Sequence, residues 1–173
     1  VVVGFGPAGM FAALLLARAG LKPIVIERGE DVDSRKSKID IFWKSGELDT
    51  ESNVQFGEGG AGTFSDGKLN TLVNDSEGRA KFVLSSFVTF GADSAILTEA
   101  KPHIGSDVLI KVVKNLRNEF IALGGEIRFC SKMTGFEKDS EGRLKSVIVN
   151  DKEKIETDRC LLCIGHSARD TFE

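Results

Sequence analysis

The chain opens with apolar runs separated by glycine turns, and this pattern predicts a strand, a helix and a second strand. The apolar run at 1–3 predicts a strand, and the largely apolar stretch 10–19 predicts a buried helix. After Gly20, a second apolar run at 24–26 predicts another strand, which ends at Glu27. Two strands joined through a helix form a βαβ unit with parallel strands. The start of the chain therefore predicts an α/β fold.

Apolar residues at helical spacing predict further helices in the middle of the chain. They cover 34–44, 77–90 and 106–123. We assign residues 70–104 to a helical insert. The insert lies within a single domain that we expect to span residues 1–173.

The last third of the chain is predicted to form strands. Short segments separated by polar turns indicate strands over 126–130, 132–138, 143–150 and 154–157, and the last three are expected to form an antiparallel meander. The uniformly apolar run 159–164 is typical of a strand buried on both faces. The predicted fold class is α/β, with a parallel sheet, a three-stranded antiparallel meander and a helical insert.

The turn before the first helix has the spacing G-x-G-x-x-G, formed by Gly4, Gly6 and Gly9. Gly4 allows a tight turn, Gly6 lets a pyrophosphate approach the backbone, and Gly9 lets the helix pack close to the sheet. Glu27 is placed to accept hydrogen bonds from ribose hydroxyls, and its charge would repel a 2′-phosphate. This context favours a dinucleotide site over an ordinary glycine turn, and it argues against an NADP-type ligand.

A second glycine-rich stretch covers 55–68 and is interleaved with Phe56, Phe64 and the adjacent Leu69. So many glycines are costly to hold in a helix or a strand, whereas they suit a loop whose N–H groups face a ligand. The apolar residues favour such a packed loop over a flexible linker. Arg35 either reaches a pyrophosphate or is a solvated arginine at the start of a helix.

Charge and cysteine usage narrow the possible partners and the compartment. The net charge is −3, and charged residues of both signs make up 28% of the chain, so no footprint for nucleic acid or an anionic membrane is expected. The apolar stretch 10–17 is too short to span a bilayer. Cys160 and Cys163 form a C-x-x-C pattern, but residues three apart in a strand point to opposite faces. We therefore expect no metal site and a reducing, cytoplasmic setting.

Four motifs resemble the bacterial FAD-dependent dehydrogenases, within the superfamily of glutathione reductase and para-hydroxybenzoate hydroxylase. These motifs are at 4–9, 54–68, 101–105 and 165–170, and the resemblance extends over essentially the whole chain. It implies a Rossmann-like FAD-binding domain in an FAD-dependent oxidoreductase. Because the chain begins without Met, close to its glycine turn, we interpret it as a fragment truncated at both ends.

The resemblance also implies cofactor contacts at individual positions. The implied pyrophosphate contacts are Gly4, Gly6, Pro7, Ala8, Gly9 and Arg35. The implied contacts along the phosphates and the flavin ring are Gly59, Gly60, Ala61, Gly62, Thr63 and Ser65. The implied adenosine contacts are Glu27 at the ribose, Arg28 beside it, the Met133 backbone at the adenine edge, and Gly165.

The sequence leaves the reaction open. A late Gly-Asp motif holds the flavin end in the family and has no counterpart here, so we expect the fragment alone to be inactive. His103 and His166 are candidates for proton donors or anion contacts, but the catalytic residues are not identified. We expect a small-molecule substrate, with NAD(P)H as a candidate electron donor. The alternatives are the NAD-binding domain of a simple dehydrogenase, a flavin-dependent RNA-modifying enzyme, or a partner-binding flavoprotein.

Overall fold

A parallel sheet and a separate antiparallel sheet organise the fold. The computed structural model describes residues 1–69, 75–99 and 101–172. The strands are β1 (Val2–Val3), β2 (Ile24–Ile26), β3 (Glu126–Arg128), β4 (Met133–Lys138), β5 (Leu144–Val149), β6 (Glu153–Glu156) and β7 (Leu161–Leu162). The helices are α1 (Pro7–Arg18), α2 (Val32–Ser45), α3 (Arg79–Thr89), α4 (Ser106–Ala122) and α5 (Arg169–Phe172), with 3-10 turns at Ala61–Phe64 and Ser94–Leu97.

The topology confirms the predicted fold class. The four-stranded sheet has the order β3-β2-β1-β7, and each of its strand pairs is parallel. Strands β4, β5 and β6 pair antiparallel in chain order, as expected for a meander. The glycine turn 4–9 thus joins a strand to a helix in a βαβ unit, which is the context that a dinucleotide site requires.

The parallel sheet is covered differently on its two faces. Alternate strand residues point to opposite faces, so Val2 and Val25 pack with α1 and α4, where Phe120 is fully buried. Val3 and Ile26 face the other way and pack against the meander. The sheet is therefore the middle layer between helices and the meander.

The prediction that 159–164 is a strand buried on both faces is wrong. Leu161 and Leu162 are 46% and 55% exposed. The reason is the position of β7 at an edge of the sheet, where its described partner is β1. The expected divergence of the two thiols is confirmed, because Cys163 packs with the helix-side cluster and Cys160 with the meander-side cluster.

Helix α3 lies in the predicted insert and packs on α1. Phe11 of α1 has its ring centroid 6.1 Å from that of Phe82 and 5.9 Å from that of Phe87. Residues 70–74 and 100 of the predicted insert lie outside the described residues, so its boundaries stay a prediction. Within the described ranges, no helix is long and apolar enough to cross a membrane.

Candidate functional site

A cleft of about 480 Å³ opens at the carboxyl ends of the parallel strands. Val3 of β1, Ile26 of β2 and Leu162 of β7 line it. The chain passes from β1 to β2 on one side of β1, and β7 lies on the other side. In open α/β sheets, ligands bind in the crevice at such a switch point.

The cleft brings together most of the residues singled out from the sequence. Those that line it are Gly4, Gly6, Pro7, Ala8, Glu27, Arg28, Gly60, Ala61, Gly62, Met133 and Gly165. Those that do not line it are Gly9, Arg35, Gly59, Thr63 and Ser65. For every one of these residues, the contact with a cofactor remains a prediction.

Gly4 and Gly9 are required by the packing of the protein itself. Gly4 has a φ of +96°, and a Cβ on it would lie 2.5 Å from the carbonyl oxygen of Cys163. A Cβ on Gly9 would lie 1.9 Å from the carbonyl oxygen of Gly4. No side chain could be accommodated at either position without moving the backbone.

Gly6 differs, because nothing among the described residues requires glycine there. Its φ and ψ are −76° and −176°, which any residue adopts. The nearest atom to an added Cβ is the Cα of Gly60 at 3.6 Å, an ordinary contact distance. Gly6 borders the cleft at the start of α1, a helix end that no side chain in the described part of the chain caps. A free helix N-terminus attracts anions, so the space beside Gly6 suits a phosphate group.

The Glu27 carboxylate, at the end of β2, links three backbone segments through hydrogen bonds. Its side chain is buried, and its Oε2 accepts a hydrogen bond from the N–H of Phe5 at 2.7 Å. Its Oε1 accepts from the N–H groups of Gly29 and Gly57, at 2.9 and 3.0 Å. A carboxylate has about four acceptor positions. One position on Oε2 is therefore left for a ligand hydroxyl in the cleft.

Arg28 is the centre of a charged cluster at the cleft. Its Nη1 and Nη2 donate to the two carboxylate oxygens of Asp170 at 3.0 and 2.9 Å, and its Nε donates to Glu51 at 2.8 Å. Its guanidinium lies 4.1 Å from the ring centroid of Phe56, and Lys132 Nζ lies 2.7 Å from Asp170. Hydrogen bonds from Arg28 and Lys132 hold the pKa of Asp170 well below its usual range. Lys132 also lines the cleft, and no motif in the sequence marked it as a site residue.

Arg35 holds the glycine loop from within the protein. It is fully buried, and its Nε donates to the carbonyl of Asn53 at 2.7 Å. Its Nη1 donates to the carbonyls of Glu58 and Gly60 at 2.7 and 2.9 Å. Burial lowers the pKa of Arg35 to about 10. The solvated-arginine alternative is wrong, while contact with a phosphate stays a prediction.

A buried ion pair beside the loop was not predicted from the sequence. Glu58 is fully buried, and its Oε2 accepts from Arg117 Nη1 and from the N–H of Val32, both at 2.8 Å. Burial raises the pKa of Glu58 to about 7, although Val32 and Arg117 act in the opposite direction. The partners are 59 positions apart in the chain, so no local pattern could have indicated the pair.

We expect Glu58 to lower the free energy of unfolding as the pH rises. Its pKa in the folded state exceeds the ordinary glutamate value of 4.5, so the folded state binds the proton more tightly than the unfolded state does. The contribution of this proton to the free energy of unfolding is complete below pH 4.5 and is lost as the pH rises towards about 7. Glu58→Gln mimics the protonated form and does not titrate. The free energy of unfolding of the variant minus that of the parent should therefore be roughly 2–3 kcal/mol larger at about pH 8 than at about pH 5.

Urea unfolding of the parent and the variant at both pH values measures this difference. Glu156→Gln is the matched control, because Glu156 is exposed on β6. A difference between parent and Glu58→Gln that does not change with pH would contradict the assignment.

The two histidines lie in different places. His166 lines the cleft beside Gly165. His103 forms an isolated antiparallel bridge with Lys68 and does not line the cleft. The structure does not bring the two together there, and neither has an assigned catalytic role.

Comparison with known proteins places the glycine turn in a recognised domain. Residues 1–42 match the family model described as FAD binding domain. An uncharacterised protein of Clostridium beijerinckii is 56% identical over all 173 residues. The chain spans only 32% of the length of that relative.

Solved structures share the fold at low sequence identity. THI4 of Thermovibrio ammonificans matches with a TM-score of 0.60 and 16% identity, over 96% of this chain and 57% of that one. OTEMO, crystallised with FAD and NADP, matches with a TM-score of 0.58 and 19% identity, over 95% of this chain and 24% of that one. These neighbours show that the chain shares their fold, and the first 42 residues match an FAD-binding domain.

Proposed function

We propose that this chain is the FAD-binding part of an oxidoreductase and that it holds the ADP half of the cofactor in the cleft. The observation that carries the proposal is the space beside Gly6, at the uncapped start of α1. Neither φ nor packing explains a glycine there, whereas a pyrophosphate close to the backbone does. When bound, FAD supplies hydride-transfer chemistry, and the protein supplies binding, orientation and electrostatics.

The residues around the cleft have separate roles in this proposal. Gly4, Gly6 and the start of α1 hold the pyrophosphate, and the free acceptor position on Glu27 takes a ribose hydroxyl. Pro7 and Ala8 join the pyrophosphate contacts, and Arg28, Met133 and Gly165 face the adenosine half. The loop residues of the cleft wall lie along the phosphates and the flavin ring; they are Gly60, Ala61 and Gly62. The five predicted residues outside the cleft lining stay proposed contacts of the phosphates and the flavin ring; they are Gly9, Arg35, Gly59, Thr63 and Ser65.

We propose one FAD/NAD(P)-binding-like domain over 1–173, with 70–104 as its insert, in a dehydrogenase that acts on a small molecule. NAD(P)H is the proposed electron donor, and neither nucleic acid nor a membrane is a proposed partner. The described cysteines are free thiols, which supports a cytoplasmic setting.

Ligand binding by the 173-residue chain tests the cofactor. We expect FAD to bind with saturable quenching of flavin fluorescence, and ADP to compete because it carries the half that the cleft holds. FMN lacks that half and should not bind. Binding of NAD without binding of FAD would instead favour the domain of a simple dehydrogenase.

A further inference from the structure

The charged cluster around Arg28 lies at the same end of the cleft as Glu27. Arg28 follows Glu27 directly in the chain, and the N–H of Ser131 donates to the carbonyl oxygen of Glu27 at 2.8 Å. Lys132 comes directly after Ser131, and both residues line the cleft, as Arg28 does. Two cationic side chains therefore lie beside the place proposed for the ribose.

Both of these cations are paired with carboxylates. Arg28 Nη1 and Nη2 donate to the two carboxylate oxygens of Asp170 at 3.0 and 2.9 Å, and Arg28 Nη2 also lies 2.7 Å from Glu51 Oε2. Lys132 Nζ lies 2.7 Å from Asp170 Oδ2 and 3.5 Å from Glu51 Oε1. Two cations and two carboxylates leave these four side chains together without net charge.

Asp170 is the carboxylate that an anionic ligand would have to displace. It makes the bidentate contact with Arg28, and its contact with Lys132 is shorter than that of Glu51. The ring of Phe56 lies against the Arg28 guanidinium, with 4.1 Å between the guanidinium carbon and the ring centroid, and holds it in place. The Asp170 side chain is 47% exposed, so its ion pairs add little to the stability of the fold. Its charge therefore matters more for a charged ligand than for folding.

We propose that Asp170 determines specificity, because it makes the cleft reject adenine nucleotides that carry a phosphate on the ribose. This inference rests on the proposed function, which places the ribose at Glu27. A phosphate monoester carries a charge of about −1.5 to −2 at pH 7. It would meet the Glu27 carboxylate and two cations that Asp170 and Glu51 already neutralise. FAD and ADP have plain hydroxyls on the ribose and need no unpaired cation, so a repulsive element of this kind separates the two classes of nucleotide.

Calorimetric titration of the 173-residue chain with ADP and with 2′-phospho-ADP measures this specificity, because the two nucleotides differ only in the ribose phosphate. We expect the parent to bind ADP about tenfold more tightly or better. Asp170→Asn keeps the shape of the side chain but removes its charge, so Lys132 becomes available to the phosphate. This variant should reduce the preference for ADP by about fivefold or more, while its affinity for ADP stays within about twofold of the parent.

Salt and a second substitution separate the effect of charge from an effect on structure. In the parent, the preference for ADP should shrink as the salt concentration rises from about 0.1 to about 1 M, since the screening length falls from about 10 to about 3 Å. Adding Lys132→Gln to Asp170→Asn should return the preference towards that of the parent, because the freed cation is gone. Asp158→Asn is the matched control, since it removes the same charge from a side chain that is 87% exposed and lies outside the cleft lining.

The outcomes distinguish this inference from the proposed function. Circular dichroism verifies that each variant is folded. If the parent binds ADP but Asp170→Asn has an unchanged preference, or loses affinity for both nucleotides equally, the role of Asp170 in specificity is overturned and the proposed function stands. A parent chain that binds neither ADP nor FAD would overturn the proposed function, and this inference with it.

Discussion

Alanine at position 6 is expected to lower FAD affinity by about tenfold or more, with little change in stability. The added methyl group meets only the Cα of Gly60 at 3.6 Å, and the backbone there suits any residue. We therefore expect the free energy of unfolding to stay within about 1 kcal/mol of the parent. The same methyl group would occupy the space proposed for the pyrophosphate, and overpacking of a tight site typically costs about 1–3 kcal/mol.

Gly9→Ala is the matched comparison, because it adds the same methyl group one turn further along. Its Cβ would lie 1.9 Å from the carbonyl oxygen of Gly4, so the backbone must move. We expect this variant to lose about 3 kcal/mol or more of stability. Urea unfolding and flavin fluorescence titration measure both quantities. Parent-like FAD affinity in Gly6→Ala would contradict the placement of the pyrophosphate.

Glu27→Ala is expected to reduce both stability and FAD affinity. Three buried N–H groups, those of Phe5, Gly29 and Gly57, would lose their acceptor. Each unsatisfied buried group costs about 1–3 kcal/mol, so we expect the three together to lower the unfolding free energy by roughly 3–9 kcal/mol. Loss of the ribose contact should lower FAD affinity by about 1–3 kcal/mol under conditions where the variant remains folded.

Glu51→Ala is the control for this substitution. Its carboxylate pairs with Arg28 but is 45% exposed, and such pairs contribute up to about 1 kcal/mol. Urea unfolding, circular dichroism and FAD titration of both variants separate the two effects of Glu27. A Glu27→Ala protein as stable as Glu51→Ala would show that the three hydrogen bonds do not hold the segments together. Unchanged FAD affinity in a folded Glu27→Ala variant would contradict the proposed contact between Glu27 and the ribose.

The sequence predicted the elements whose signals are local. The apolar runs around the turn 4–9 define the βαβ unit, and the polar turns between 138 and 154 define the meander. It did not predict the exposure of β7, because an apolar run does not say whether its strand lies in the middle of a sheet or at an edge. The exposed Leu162 lies at such an edge.

The glycines of the candidate site could be predicted from the sequence, but several of its charged contacts could not. Glycine spacing is a short-range signal, so the residues of 4–9 were identified together. Arg35 could be placed near Glu27 by position alone, but its acceptors come from carbonyls 18 to 25 residues away. The pairing of Glu58 with Arg117 depends on how α4 packs, which no spacing within the sequence describes.

The contacts of Arg35 bear on the cooperativity of folding. Its guanidinium ties α2 to carbonyls at positions 53, 58 and 60, so the loop cannot open without leaving a buried cation that lacks acceptors. Local unfolding of the loop and of α2 therefore belongs to one cooperative unit. A ligand that binds the loop meets a wall that is already ordered. It avoids much of the roughly 1–2 kcal/mol per residue that ordering a free backbone would require.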